Sequence, residues 1–381
     1  MQRLTPVVLV VALGGGCSPS QNPSTIEDTS TDGGLVRETV DAQSEAFLQE
    51  MVKEEHFSGV ALVMRRGEIV HARGYGRATS EKDNAVDTVF HVASITKQFT
   101  AAAIMQLVEA GSIDLETSVN EYLPEEYRSP HWANVTVHHL LSHTGGVPDY
   151  AVERDYYEVV DGFCLGGTVD GMLKEAMAKE LEFEPGSKWS YSNIGFTLLG
   201  LVIENQTSLP YAEYLELNVL DPMGMSSSRV HVIGHVPTAD EAAGHRWDEE
   251  QGTHVPDDVV SLPVTAPDGG LLTTLADFIK WTRIYMGEEP GILSRESLER
   301  MASPAISPFS KNPRGAPASY GYGLLVADGL LGHSGYIVGF RSDFMVDRDQ
   351  KLLIAVFSNN TTNDPWRIAV GLLRIADEVS Q

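Results

Sequence analysis

Cysteine is almost missing from this chain: its 381 residues carry only Cys17 and Cys164. Two cysteines cannot form the disulfide framework that staples small secreted domains, so stability must come from a hydrophobic core. Cationic residues are also scarce, 27 Lys and Arg against 53 Asp and Glu, for a formal net charge of -26. A field of that sign repels phosphate backbones and anionic headgroups, which argues against nucleic acid as a partner. The apolar run near the start, residues 4–13, is too short to span a bilayer. His138, His139 and His143 cluster, but without the two-histidine-plus-glutamate spacing of hydrolytic zinc helices, so they read as loop packing and no metal ligands are assigned. Gly74-Tyr75-Gly76 lacks the third glycine of a nucleotide fingerprint and reads as a strand end.

What is present is an ordinary globular composition, 42% hydrophobic and 21% charged, long enough for one large catalytic unit or two domains. Arg3 precedes the apolar run, which only Thr5 and Pro6 interrupt, and Gly14-Gly15-Gly16 leads into Cys17. That order of charge, apolar run and small residues is the layout of a secretory signal over residues 1–17. Small residues directly before a cysteine resemble a bacterial lipoprotein cleavage site, with Gly14 where an aliphatic residue is usual. The resemblance implies that Cys17 receives lipid, which leaves Cys164 as an unpaired thiol. Residues 18–37 then form a flexible linker, rich in Ser, Thr, Pro, Asp and Gly up to Gly34. The expected protein is exported and held at a membrane of the cell envelope by a lipid anchor.

A helical pattern begins near Val40, followed by strand-like runs at 59–64 and 68–73 around the turn Arg65-Arg66-Gly67. Residues 94–110 give the strongest helix signal, apolar on nearly all sides and stopped by Gly111. The middle of the chain reads as helix and loop. Strand patterns return at 322–327, 339–346 and 351–357, and an amphipathic helix closes the chain over 365–378. Strands at both ends with helices between predict an α+β fold over residues 38–378: an antiparallel β-sheet flanked by helices, with an inserted mainly helical region.

Three short motifs carry chemistry. Ser94 and Lys97 lie three apart at a helix start, on one face. A serine there is often only an N-cap. A lysine in the first turn, however, faces the positive end of the helix dipole and loses solvent among apolar neighbours, and both effects favour the neutral amine that a base requires. Tyr191-Ser192-Asn193 offers a phenol that can relay a proton and a side-chain amide that can donate to and accept from a substrate amide; the plain alternative is helix capping. His333-Ser334-Gly335, ahead of the strand-like run 336–340, offers close backbone approach and an N–H for an oxyanion hole; the plain alternative is a turn.

Their order resembles the serine β-lactamase and penicillin-binding superfamily, in particular the class C β-lactamase-related branch that includes DD-peptidases and esterases. Phe90-His91-Val92-Ala93-Ser94-Ile95-Thr96-Lys97, Leu140-Leu141-Ser142-His143-Thr144-Gly145-Gly146-Val147-Pro148 and Asp268-Gly269-Gly270-Leu271-Leu272-Thr273-Thr274 extend the likeness across residues 40–378. The resemblance implies Ser94 as nucleophile, and Lys97 as its base or as the cation that holds Tyr191 as phenolate. Tyr191 would deliver a proton to the leaving group and activate water. Asn193, His333, Ser334 and Gly335 would bind substrate, and the backbone N–H groups of Ser94 and Tyr336 would stabilise the oxyanion. His333 stands where the branch's β-lactamases carry lysine, which argues against β-lactam hydrolysis; Lys97 nearby is expected to keep the imidazole neutral, with one N–H to offer. Gly332-His333-Ser334-Gly335-Tyr336 is not the nucleophile elbow of α/β-hydrolases, because Tyr336 replaces its last glycine and no histidine follows His333. The expected function is a cofactor-free serine hydrolase acting on a small ester or a peptide such as a peptidoglycan stem peptide, esterase or D-Ala-D-Ala carboxypeptidase-like. The alternatives are a class C-type β-lactamase and a catalytically silent peptidoglycan-peptide-binding lipoprotein.

Overall fold

The computed structural model describes residues 30–149, 159–160, 163–164, 169–232, 235–257, 266–287 and 291–379. The expected signal peptide, Cys17, linker residues 18–29 and the Cys164 side chain lie outside the described residues.

Among the described residues, eight antiparallel strands form the main sheet: β1 (Gly59–Arg65), β2 (Glu68–Tyr75), β3 (Ser310–Lys311), β4 (Pro317–Tyr320), β5 (Leu325–Ala327), β6 (Leu330–Ile337), β7 (Phe340–Asp347) and β8 (Leu352–Ser358). Their spatial order is β3-β4-β5-β6-β7-β8-β1-β2. The two ends of the described fold meet where β1 pairs with β8, one strand in from the β2 edge, from Gly59↔Ser358 to Arg65↔Leu352. Both strands are apolar on successive residues because both faces of the sheet are covered. Leu353, Ala355 and Phe357 enter the larger core with the helical region, while Leu352, Ile354 and Val356 enter a second core. That second core lies under two terminal helices, α1 (Ser30–Glu54) and α4 (Pro365–Glu378). Two further helices border the site: α2 (Lys97–Glu109) and α3 (Asn193–Thr207).

The α+β architecture is as expected, and several boundaries differ. Residues 30–37, expected as linker, form the first turns of α1. The first buried residue is Val40, with Arg37 already 3.8 Å from Glu68, and a helix nucleated on packed turns propagates outward at little further cost, past the point where the apolar pattern stops. The run 336–340 is not one strand. Gly339 adopts φ 83° in the hairpin turn between β6 and β7, and His333-Ser334-Gly335, for which a turn was the plain alternative, sits within β6. The helix expected over 94–110 opens as a 3-10 turn, Ala93–Thr96, before α2.

Candidate active site

Backbone contacts shape the loop that carries Ser94. After the short strand Phe90–His91 the chain turns at Ala93, whose φ of 48° is a left-handed value costing a residue with a β-carbon about 1–3 kcal/mol. Neighbours hold that strain in place. Val92 N donates to Leu271 O at 3.1 Å, Ser342 Oγ donates to Val92 O at 2.8 Å, and Leu271 N donates to Thr96 Oγ1 at 2.9 Å. Val92, the N-cap of the 3-10 turn, supplies no side-chain cap, so the first N–H groups of the turn are left for another partner.

Lys97, the first residue of α2, is fully buried. Its Nζ lies 3.2 Å from Ser94 Oγ, 2.8 Å from Asn193 Oδ1 and 2.8 Å from the main-chain oxygen of Asp268. The Asp268 carboxylate is 3.8 Å away, and the Tyr191 ring centroid 4.7 Å. Burial lowers the Lys97 pKa to about 8, opposed by Asp268 and Asp149. A neutral amine has two hydrogens and one lone pair, which matches two carbonyl-type acceptors and one hydroxyl donor. The arrangement can therefore take a proton from Ser94.

Tyr191 is set by the loop Leu140 to Pro148. His143, at φ 57°, grips both sides of it: Ser190 N donates to His143 O at 3.0 Å and Ser192 N donates to His143 Nδ1 at 3.2 Å. The His143 ring lies 4.4 Å from the Tyr191 ring, and burial holds its pKa well below the usual histidine value. The cap of α3 is Ser192, which accepts from Gly195 N at 3.2 Å, so Tyr191 and Asn193 are not needed as caps. Asp149 fixes Asn193, accepting from its backbone N at 2.8 Å and its Nδ2 at 3.1 Å. That hold turns Oδ1 toward Lys97.

The edge of β6 closes the site. β5 pairs with β6 only at Leu330, Leu331 and Gly332, so the edge from His333 onward has a strand partner on the β7 side alone. A β-carbon on Gly335 would stand 2.2 Å from Val92 O, which shows how tightly the nucleophile loop lies against this edge. Ser94 and Tyr336, the expected oxyanion pair, are thus brought to one edge. The Tyr336 side chain points to solvent, beneath Arg341.

His333 and Ser334 depart from expectation. Strand alternation puts their side chains on opposite faces of the sheet. Burial first, and then Lys97, lower the His333 pKa to about 4. Its Nδ1 donates to Ser334 O at 2.5 Å and its Nε2 accepts from Tyr320 Oη at 2.9 Å, the tautomer following from the carbonyl partner. The N–H that His333 was expected to offer a substrate is therefore already used. Ser334 Oγ donates to Asp343 Oδ2 at 2.6 Å, on the face away from Lys97.

Other residues went unassigned in the sequence. Asp268 and Asp149 border Lys97 and Asn193; Asp268 opens one glycine-containing segment and Asp149 directly follows the other, but nothing in those segments marks either as a partner of Lys97 or Asn193. His138 bonds Tyr322 Oη at 2.7 Å and His139 Nδ1 accepts from the backbone N of Thr136, the N-cap of the helix Val137–Leu141, at 3.2 Å, so the histidine cluster splits among separate partners. Among the described residues no group of acidic, histidine or cysteine side chains converges as a metal site. Trp189 stacks on Phe309 at 4.1 Å beside Tyr191.

A family described as Beta-lactamase matches residues 45–376. Penicillin-binding protein 4* of Bacillus subtilis (strain 168) is 28% identical over 354 residues, 87% of this chain and 74% of that protein. Esterase EstB of Burkholderia gladioli is 35% identical over 198 residues, 48% of this chain and 50% of that protein. The octameric penicillin-binding protein homologue from Pyrococcus abyssi superposes with a TM-score of 0.75 at 30% identity, covering 87% of this chain and 76% of that one. Alongside a hydroxyl, a buried amine and a phenol gathered at the edge of β6, these likenesses give one conclusion: the chain belongs to the beta-lactamase family and is a serine hydrolase of the β-lactamase and penicillin-binding superfamily.

Proposed function

We propose that this hydrolase works through an acyl-enzyme on Ser94 and acts on esters or amides in the cell envelope, as an esterase or a D-Ala-D-Ala carboxypeptidase-like enzyme. The observation that carries the reading is the Lys97 amine, fully buried, with a pKa of about 8 and 3.2 Å from Ser94 Oγ. As Ser94 Oγ attacks the substrate carbonyl carbon, Lys97 Nζ takes its proton. The carbonyl oxygen gains charge against the N–H groups of Ser94 and Tyr336. Tyr191 passes a proton to the departing oxygen or nitrogen, leaving the acyl group on Ser94. Water then attacks the ester carbonyl, giving a proton to the Tyr191 phenolate while Lys97 returns its proton to Ser94 Oγ, and the free acid departs. Asn193 orients the substrate.

Esters are favoured over β-lactams, and over a D-Ala-D-Ala peptide whose leaving D-alanine also carries a carboxylate, because the position of the β-lactamase lysine holds a neutral, internally bonded histidine. It provides no fixed cation for a carboxylate. Export and lipid attachment at Cys17 complete the proposal and rest on the sequence layout alone.

A fluorophosphonate should add once, at Ser94, by intact mass and peptide mapping. Short-chain aryl esters should be turned over with higher kcat/KM than a chromogenic cephalosporin at mildly alkaline pH, with a D-Ala-D-Ala peptide assayed alongside. Labelling at Ser334, or efficient cephalosporin hydrolysis with little ester turnover, would overturn the reading.

A further inference from the structure

A second cavity opens beside the site on the other face of β6. It encloses about 240 Å³ and is lined by Val326, Leu330, Ser334, Asp343, Met345 and Trp366, with Lys311 among the residues that border it. The walls are mostly apolar. Its polar base is the rung Ser334↔Asp343, next to the rung Gly335↔Ser342 that touches the nucleophile loop. Adjacent rungs are ~3.4 Å apart along a strand. The cavity and the catalytic groups are thus separated by one strand edge, and that edge lacks a strand neighbour from His333 onward.

Asp343 is the second observation. It is 2% exposed, its Oδ2 accepts from Ser334, and its Oδ1 has no partner among the described residues. Nothing in the acyl-enzyme chemistry uses it. Burial, with Asp364 nearby, holds its carboxyl well above the usual range, which favours the protonated acid. With Ser334 donating to Oδ2, the acid proton belongs on Oδ1, leaving a neutral donor at the base of an apolar pocket.

Resting on the proposed role of Tyr191 as the group that protonates the leaving group, we propose that this cavity is the leaving-group subsite and that it takes an uncharged, largely apolar alkoxy group bearing one hydrogen-bond acceptor. The leaving group must lie against Tyr191. The Tyr191 ring is 6.2 Å from that of His333, and a chain leaving that point past His333 would pass the edge that has no strand partner and reach the cavity, which His333 and Ser334 both line. Neither the neutral His333 nor the Asp343 carboxyl supplies a positive charge for a carboxylate there, so a leaving group ending in one is disfavoured.

The test uses acetate esters, whose shared acetyl group gives one common acyl-enzyme, so that kcat/KM reports the alcohol alone. From methyl to ethyl to butyl acetate, kcat/KM should rise about two- to fourfold per methylene. Trp366→Ala, at the half-exposed second residue of α4, should flatten that rise, with circular dichroism confirming the fold. 2-Methoxyethyl acetate is the isostere of butyl acetate with an acceptor oxygen in the chain. Its kcat/KM relative to butyl acetate should fall about three- to tenfold in Asp343→Ala, the worth of one hydrogen bond, and stay within about twofold of wild type in Asp343→Asn, which mimics the protonated acid. Acetoxyacetate, with its charged leaving group, should be the poorest of the series. With fluorophosphonate labelling intact at Ser94, a flat chain-length profile in wild type, or acetoxyacetate as the best substrate, overturns the subsite alone. Labelling elsewhere overturns the acyl-enzyme reading and the subsite with it.

Discussion

Replacing Asp268 with Asn tests the base directly. The two side chains are buried, with the Asp268 Oδ2 3.8 Å from Lys97 Nζ. At an effective dielectric constant of ~20, unit charges at that distance attract by about 4 kcal/mol. Opposite charges this close usually move a pKa by about one to three pH units. Asparagine keeps the shape and leaves the main-chain oxygen that binds Nζ at 2.8 Å. Burial lowers the amine to about 8, and Asp268 is the larger of the two charges resisting a further fall. In wild type the neutral fraction is about one in eleven at pH 7 and about ten in eleven at pH 9, so kcat/KM should rise about tenfold over that span. Removing the carboxylate should bring the midpoint down from about 8 to between about 5 and 7, making Asp268→Asn relatively more active near pH 6. The assay is kcat/KM for p-nitrophenyl acetate from pH 5.5 to about 9.5 at constant ionic strength, corrected for background hydrolysis. A midpoint unmoved or shifted to higher pH would remove Asp268 from the argument. A wild-type rate that falls from pH 7 to about 9 would mean that Lys97 works as the ammonium, holding Tyr191 as phenolate.

Lys97→Arg keeps the charge but cannot give it up, so burst-phase acylation should drop by about 10²–10⁴-fold; near-wild-type turnover would make Lys97 structural. Gly335→Ala places a β-carbon 2.2 Å from Val92 O and 2.3 Å from Ser342 Oγ. A displacement of about 1 Å in the nucleophile loop should cost about 10²-fold in kcat/KM, and unchanged kinetics would show the contact to be slack. Acid should unfold the protein early, because burial holds His91, His245 and His333 at about 3, 4 and 4. Below pH ~6.5 the unfolded chain binds protons that these groups refuse, so stability falls with pH, by on the order of 10 kcal/mol at pH 4, less whatever Asp343 returns. A Tm constant from pH 6.5 to about 4.5 would refute this. A chain starting at Val36 should be soluble and as active as the full chain, since it keeps Val40, the first buried residue, and the Arg37–Glu68 pair, whereas the full chain should partition with membranes in a bacterial host; loss of activity in the shorter chain would tie residues before 36 to the site.

The nucleophile, its lysine and the tyrosine were legible because each sits in a local motif whose spacing is set by a helix or a loop. The closing helix was legible in the same way, with Asp364 capping a run that begins at Pro365. What escaped depended on strand pairing. Whether His333 and Ser334 face the same cleft is settled by the pleat and by pairing with Phe344 and Asp343, partners about ten residues away. Histidine at that position reads as a titratable donor. Only the packing of Tyr320 against it and the Ser334 carbonyl beside it reveal that both ring nitrogens are occupied. Asp149 and Asp268 show nothing in their own segments, since what they hold lies 44 and 171 positions away.

The pairing of β1 with β8 has a consequence for how the chain acquires its shape. Ser58 N reaches Asn363 Oδ1, a partner 305 positions further on. Until that partner has been synthesised, the first hairpin has an open side and an apolar surface on both faces, although Ser94, Lys97 and Tyr191 have long been made. Such distant pairing demands costly loop closure and slows folding. The nascent chain therefore spends most of its synthesis without this pairing, exposed to proteases and to edge-to-edge association with its neighbours. Removing β8 should abolish activity as completely as removing Ser94, even though every proposed catalytic group would remain.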